Sequence, residues 1–177
     1  MRPVFVLAMS DRIQGKMCAR GAGTGTARRS GEATVSQSDF DGAVAAYRQA
    51  LDAFLKGDPK PVTKFFSRRD DVTLANPFGL PRLGPAEVDK AIEEAAANFK
   101  GGSVRGIEEV SRYSTPDLGY VVELERAEAR LGGSENMTPL ALRVTMIFRR
   151  EEDTWKVAHR HADPIATAQP ISTVIEA

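Results

Sequence analysis

The sequence predicts an α+β fold, a curved antiparallel sheet with helices packed on one face, and three observations lead there. Apolar residues recur at helical spacing as far as about residue 99. From Ser103 onward the pattern changes to alternation, and helices followed by hairpin-linked strands is the order of a sheet covered on one side. The chain has 177 residues, 42% apolar and 27% charged, which is enough for one globular core plus an extra segment.

Residues 1–37 form the extra segment. They hold Gly21, Gly23 and Gly25, five arginines and only two acids, Asp11 and Glu32, which is the composition of a disordered or poorly ordered tail. The apolar run Pro3–Met9 after Arg2 is short for a secretory signal and lacks a small-residue cleavage site. The arginine-rich, acid-poor character also permits an organellar transit peptide, and a mistaken upstream start codon accounts for the segment equally well. Gly21-Ala-Gly-Thr-Gly-Thr26 has Thr26 where a dinucleotide fingerprint needs its last glycine, so no phosphate site is expected there.

The ordered domain is expected over 38–165. Ser38-Asp-Phe-Asp41 has capping-box form, and Phe40, Val44, Tyr47, Leu51 and Phe54 then follow at steps of four and three along one helical stripe. Gly57 ends this helix, and a short helix carrying Val62, Phe65 and Phe66 follows the turn Asp58-Pro-Lys-Pro61. Val72–Ala75 reads as a short strand, followed by a loop over 76–84 too rich in Pro and Gly to be regular. Gly84 and Pro85 open a second long helix with Val88, Ile92, Ala95, Ala96 and Phe99 on its buried stripe, and Gly101-Gly102 stop it. Four strands are readable at about 103–113, 118–129, 138–150 and 154–162, and residues 166–177 are expected as a coil tail.

Strict alternation places Trp155, Val157, His159 and His161 on one face of the last strand, with Lys156, Ala158, Arg160 and Ala162 on the other. Leu142, Val144, Met146 and Phe148 are apolar on one face of the strand before it, as are Tyr120, Val122 and Leu124 one strand earlier. One face is thus expected to be core. The other carries Glu123, Arg143 and Arg160 as a cross-strand charge ladder. A bulge in a strongly bent sheet reverses the facing of every residue beyond it, which would turn the charged set toward a cavity.

Charge and composition narrow the function. Lys plus Arg and Asp plus Glu number 24 each, so the basic excess of a nucleic-acid or acidic-lipid binder is missing, and a small neutral ligand or a protein partner fits better. No apolar run approaches the ~18 residues that span a bilayer, so no membrane partner is expected. The single Cys18 makes no internal disulfide, which is compatible with a cytoplasmic location.

The stretch 153–164 concentrates the rare chemistry, because it holds the only tryptophan and both histidines. His159-Arg-His161 sets two imidazoles ~7 Å apart on a strand with Asp163 beyond. This is similar to the His-x-His-x-Asp of metallo-hydrolases, but Pro164 stands where a further histidine is needed, so no metal is expected. Acid–base chemistry is the better candidate: a histidine titrates near pH 7, and burial raises a carboxyl such as Asp71 or Glu108 toward the same range. No Gly-x-Ser-x-Gly elbow occurs.

The order of elements and the ending Phe148-Arg-Arg-Glu-Glu-Asp-Thr-Trp-Lys-Val-Ala-His-Arg-His161 resemble the SnoaL-like branch of the nuclear transport factor 2-like (NTF2-like) superfamily over about 38–165. That superfamily includes ketosteroid isomerases, scytalone dehydratase, polyketide cyclases and the association domain of calmodulin-dependent kinases. The resemblance implies a cone: a curved antiparallel sheet with N-terminal helices packed on its concave face, an apolar pocket inside, and a homodimer through the sheet. It implies a cofactor-independent isomerase, dehydratase or cyclase working by acid–base chemistry on a small apolar or weakly polar ligand. The alternative is a non-catalytic dimerisation or binding module. By residue type the catalytic candidates are His159, His161, Asp71 and Tyr120. Candidates for ligand contact are Tyr47, Asn76, Phe78, Arg143 and Arg160, the arginines by analogy with the kinase association domain.

Overall fold

In the computed structural model the described residues are 30–174. The run Pro3–Met9, Cys18 and the glycines at 21–25 lie outside them. The first helix, α1, spans Ser30–Phe54, so it begins upstream of the capping-box position and Ser38 lies inside it. Serine is only modestly worse than alanine within a helix, and each residue added to a formed helix gains one hydrogen bond. The predicted stripe is buried through Phe40, Val44, Tyr47 and Leu51, with Ala50 beside it. The chain leaves α1 at Gly57, whose φ of 96° lies in the left-handed region. A single turn, α2 (Lys60–Thr63), buries Val62, and Phe66 beyond it bridges to Val157.

The strand β1 covers Thr73–Ala75, and the loop predicted to be irregular contains a second short strand, β2 (Arg82–Leu83), paired antiparallel to it. Two residues are too few to leave an alternation in the sequence. α3 (Pro85–Ala96) buries Val88, Ala91, Ile92, Ala95 and Ala96. It stops at Ala96, before the two glycines expected to end it, and both of these lie in β3 (Phe99–Ser114). There the register shifts between Lys100 and Ser103, and Gly102 passes so close to β4 that a Cβ on it would lie 2.6 Å from the Glu128 carbonyl.

β3, β4 (Leu118–Leu131), β5 (Met137–Glu151) and β6 (Thr154–Asp163) form one sheet with the short strands in the order β2-β1-β6-β5-β4-β3. Every long-strand pair is antiparallel, and β1 adds to β6 in parallel. Residues 171–174 form one 3-10 turn inside the expected coil. Among the described residues no helix is long and apolar enough to cross a membrane.

Facing along the strands decides what the sheet does. β5 behaves as predicted, with Val144, Met146 and Phe148 fully buried on the concave side. Directly paired residues share a face. Phe148 opposes Gly119, Met146 opposes Val121, Val144 opposes Glu123 and Leu142 opposes Glu125, so those β4 residues also point inward. The expectation for β4 is therefore reversed: Tyr120, Val122 and Leu124 face outward, and Glu123 and Glu125 enter the interior.

The last strand is reversed for half its length. Val157 pairs with Phe148 and His159 with Ile147, leaving Ala158 as the extra residue of a bulge. Trp155 and Val157 are buried before the bulge, and Arg160 and Ala162 are buried beyond it. His159 and His161 thus lie on the convex face, against the expectation that they share the apolar side.

One end of the interior is packed solid. The Phe40 ring meets Phe148 at 5.6 Å and Trp155 at 5.1 Å, and Tyr47 meets Phe148 at 6.3 Å, all edge-on. Burying each such side chain contributes about 1.5–3 kcal/mol. Gly119 belongs to this end, since a Cβ on it would come within 2.6 Å of the Phe40 ring.

Candidate functional site

The other end of the interior is hollow. A cavity of about 590 Å³ lies between α1, α3 and the concave sheet, walled mainly by apolar groups such as Leu51, Phe54, Ile92, Val104 and Leu142. Such a volume suits a small organic molecule. The polar side chains in its lining are Tyr47, Asn76, Glu125, Arg126 and Arg160.

Three of these meet on the inner wall because of the two facing reversals. Arg160 donates from Nη2 to Glu125 Oε2 at 2.8 Å, and the two side chains are only 11% and 10% exposed. Tyr47, brought in by the buried stripe of α1, is itself buried, and burial pushes its phenol well above the usual range, although Arg160 beside it acts in the opposite direction. The phenol therefore stays a neutral O–H donor across the working pH range. Burial opposes the charge on Arg160, but Glu125, Tyr47 and Glu123 outweigh it, so the guanidinium remains a cation.

A second ion pair stands behind the first. Glu123 is fully buried and accepts from Arg48 Nε of α1 at 3.0 Å. Arg48 Nη2 also reaches Glu109 of β3 at 2.8 Å, and Arg112 joins Glu109 to Asp41 at the surface. Burial raises the Glu123 carboxyl; Arg48 opposes that rise and the nearby Glu125 adds to it. Buried charges persist only when paired in this way, and removing one partner leaves the other uncompensated.

The predicted site residues divide between the two faces. Tyr47, Asn76, Phe78 and Arg160 line the cavity. Arg143 is on the convex face, held by Asp163 at 2.8 Å, so the expected ladder of Glu123, Arg143 and Arg160 is split between the two sides of the sheet. His159 is fixed through Nδ1 to Thr73 Oγ1 at 2.7 Å, and His161 is exposed with its ring 6.5 Å away. Burial and the neighbouring His161 lower the His159 pKa below the ordinary histidine value. Tyr120 lies outside beside Tyr113. Asp71 is exposed and clamps Arg149 at 2.7 and 2.8 Å, which holds its carboxyl below the usual range. Among the described residues no cluster of His, Cys, Asp and Glu could hold a metal ion.

Sequence reasoning did not assign Glu125 or Arg48 to the site. Arg48 had a signal, because it occupies the i+4 position after Val44 on the buried stripe and a lone arginine there needs an interior carboxylate. Glu125 had none that alternation alone could supply.

Residues 43–167 match the family model described as a SnoaL-like domain. The chain belongs to the SnoaL-like domain family. Solved structures of NTF2-like proteins share the fold of this SnoaL-like domain. A candidate dehydratase of the NTF2-like family from Streptomyces avermitilis is similar over 76% of this chain and 99% of its own, with 20% identity and a TM-score of 0.63. A ketosteroid isomerase-like protein from Erwinia carotovora atroseptica matches over 73% and 96%, with 17% identity and a TM-score of 0.57. A candidate calcium/calmodulin-dependent protein kinase type II association domain from Thiobacillus denitrificans matches over 71% and 94%, with 22% identity and a TM-score of 0.53. At these identities the likeness concerns the fold alone. No curated protein matches the sequence at a significant level.

Proposed function

We propose that this SnoaL-like domain binds a small, largely apolar molecule in its cavity and acts on it by general acid–base chemistry without a cofactor. The observation that carries this reading is an apolar cavity whose inner wall gathers a phenol, a carboxylate and a guanidinium from three different elements. Isomerisation, dehydration or cyclisation is the class of turnover, in keeping with the dehydratase and isomerase-like relatives of the same fold.

In this reading the acid–base work belongs to Glu125 and Tyr47 rather than to His159, His161, Asp71 or Tyr120, because only the first two border the cavity. Glu125 takes a proton from a carbon next to a carbonyl and returns it elsewhere on the ligand. Tyr47 donates a hydrogen bond to the carbonyl oxygen as negative charge develops there, and Arg160 positions Glu125. The test is proton exchange at the α-carbon of a bicyclic β,γ-unsaturated ketone in D2O, followed by NMR. Exchange by the native protein that Glu125→Gln abolishes supports the reading, and exchange equal in both removes Glu125 as the base. No exchange by the native protein favours the non-catalytic alternative.

That alternative rests on the convex face, where Tyr113 is 59% and Leu118 50% exposed and Tyr120, Ile147, His159 and His161 continue the surface. A homodimer through this face belongs to both readings. Sedimentation of Tyr120→Glu tests it, with a shift from dimer to monomer expected and an unchanged dimer placing the contact elsewhere. Both readings also place the protein in the cytoplasm, where its single thiol, Cys18, stays reduced; fractionation of cells expressing the full chain tests that.

A further inference from the structure

An arginine in an apolar cavity invites an anionic ligand, and the charge arrangement here argues against one. The charged residues of the lining are Glu125, Arg126 and Arg160. Arg160 is engaged by Glu125 at 2.8 Å, and Arg126, at the rim, by Glu108 at 3.2 Å. Behind the wall Arg48 is shared between Glu123 and Glu109. Each of these cations therefore already has a carboxylate, and no net positive charge remains to replace the hydration an anion would lose on entering. A cationic ligand fares no better, since Glu125 is held by Arg160.

What the wall does offer is a donor and an acceptor side by side. Among the described residues Glu125 Oε1 and Arg160 Nε are both buried without a hydrogen-bond partner, and the Tyr47 phenol adjoins them as a further donor. Buried polar groups are normally satisfied. Glu123 Oε1 and Trp155 Nε1 are unpartnered as well, but only Glu125 and Arg160 of these four also line the cavity, so it is on this ion pair that a ligand can complete the bonding.

We infer that the cavity selects an uncharged ligand whose apolar body carries one hydrogen-bond acceptor next to one donor, as in a carboxamide or an α-hydroxy ketone, and that Glu125 sets this choice by neutralising Arg160. The inference rests on the reading of the cavity as a ligand site. In the absence of Glu125 the same wall becomes an anion receptor, because the guanidinium is then released within a water-poor space.

The test is a fluorescence titration of the full-length protein with phenanthrene and its carboxamide, carboxylate and aminomethyl derivatives, on native protein and on Glu125→Gln. Native protein is expected to bind the carboxamide at least about tenfold more tightly than the carboxylate, the ammonium or the parent hydrocarbon. In Glu125→Gln the order of carboxamide and carboxylate reverses. Native protein that prefers the carboxylate, or that holds all four alike, overturns the inference while leaving the cavity as a ligand site. Failure of all four, the hydrocarbon included, removes the ligand-site reading itself and the inference with it. The native ranking decides the matter even if Glu125→Gln does not fold.

Discussion

The two faces of one sheet both carry ion pairs and use them in opposite ways. On the convex side Arg143 and Asp163 pair within reach of water, with Arg143 52% exposed, and such a pair contributes little. On the concave side Arg160 with Glu125, and Glu123 with Arg48, are paired where water is scarce, so neither member tolerates losing its partner. The same residue types therefore form either a solvated surface pair or a buried pair, according to which way the backbone turns them, and neighbouring positions on a strand turn opposite ways.

Removing one cation from each side separates the two faces most strongly. Arg160→Met is expected to destabilise the protein by about 3–5 kcal/mol, because Glu125 is left buried and unpaired, whereas Arg143→Met costs about 1 kcal/mol or less. Urea unfolding of both variants measures the pair of values, and equal losses would mean that the concave pair is no more buried in energetic terms than the convex one.

A smaller contrast concerns backbone approach. Gly119→Ala drives a methyl into the Phe40 ring on the concave side and is expected to cost about 1–3 kcal/mol. Gly106→Ala meets nothing within 4 Å among the described residues, so thermal denaturation should show it neutral or stabilised by under about 1 kcal/mol.

The two faces also respond to pH in opposite directions. Asp163, on the convex side, is partly desolvated, but the Arg143 guanidinium and the Ile165 N–H hold its carboxyl below the ordinary value. Its contribution to stability is therefore complete above the unfolded value of about 3.9 and is lost as pH falls through the lowered folded value. Glu123, on the concave side, is raised by burial, so the folded state binds its proton more tightly than the unfolded chain does. Stability then declines as pH rises from the unfolded value of about 4.3 through the raised folded one. Denaturation followed against pH should lose the first slope in Asp163→Asn and the second in Glu123→Gln.

The smallest expected effect is none. His159→Ala and His161→Ala should leave binding of phenanthrene carboxamide within about twofold of native, the histidines being outside the cavity lining. In the native protein NMR titration should place the His159 midpoint below the ordinary value of about 6.5. A tenfold loss of affinity in either variant would bring the convex face into the site.

Much of the fold was legible because it rests on local periodicity. The α1 stripe from Phe40 to Leu51, the α3 stripe from Val88 to Ala96, the four long strands and the inward set on β5 all follow from spacing and apolar content. The α+β class and the SnoaL-like resemblance were legible for the same reason, and the family match over 43–167 agrees with them. β2 was hidden by its brevity, and the β3 glycines read as a helix stop because the same residue type serves both turns and bulges. The cavity lining was only partly legible: Tyr47 came from the stripe on α1, whereas the role of Glu125 depended on which residue of β5 stands opposite it.

Alternation along the chain determined which residues of a strand travel together, since a side-chain period of two is a property of the extended backbone itself. It grouped Tyr120 with Val122 and Leu124, which stay together, and Trp155 and Val157 with His159 and His161, which the bulge at Ala158 divides. Which group faces the core was decided only in the tertiary structure. On β4 the apolar group yields the interior to Glu123 and Glu125, because β5 sets the register, α1 brings Arg48 to Glu123 and β6 brings Arg160 to Glu125. On β6 a single extra residue, Ala158, turns Arg160 inward and both histidines out. A bulge at an alanine leaves no mark in composition, and the energy that selects its position comes from strands and a helix distant in sequence.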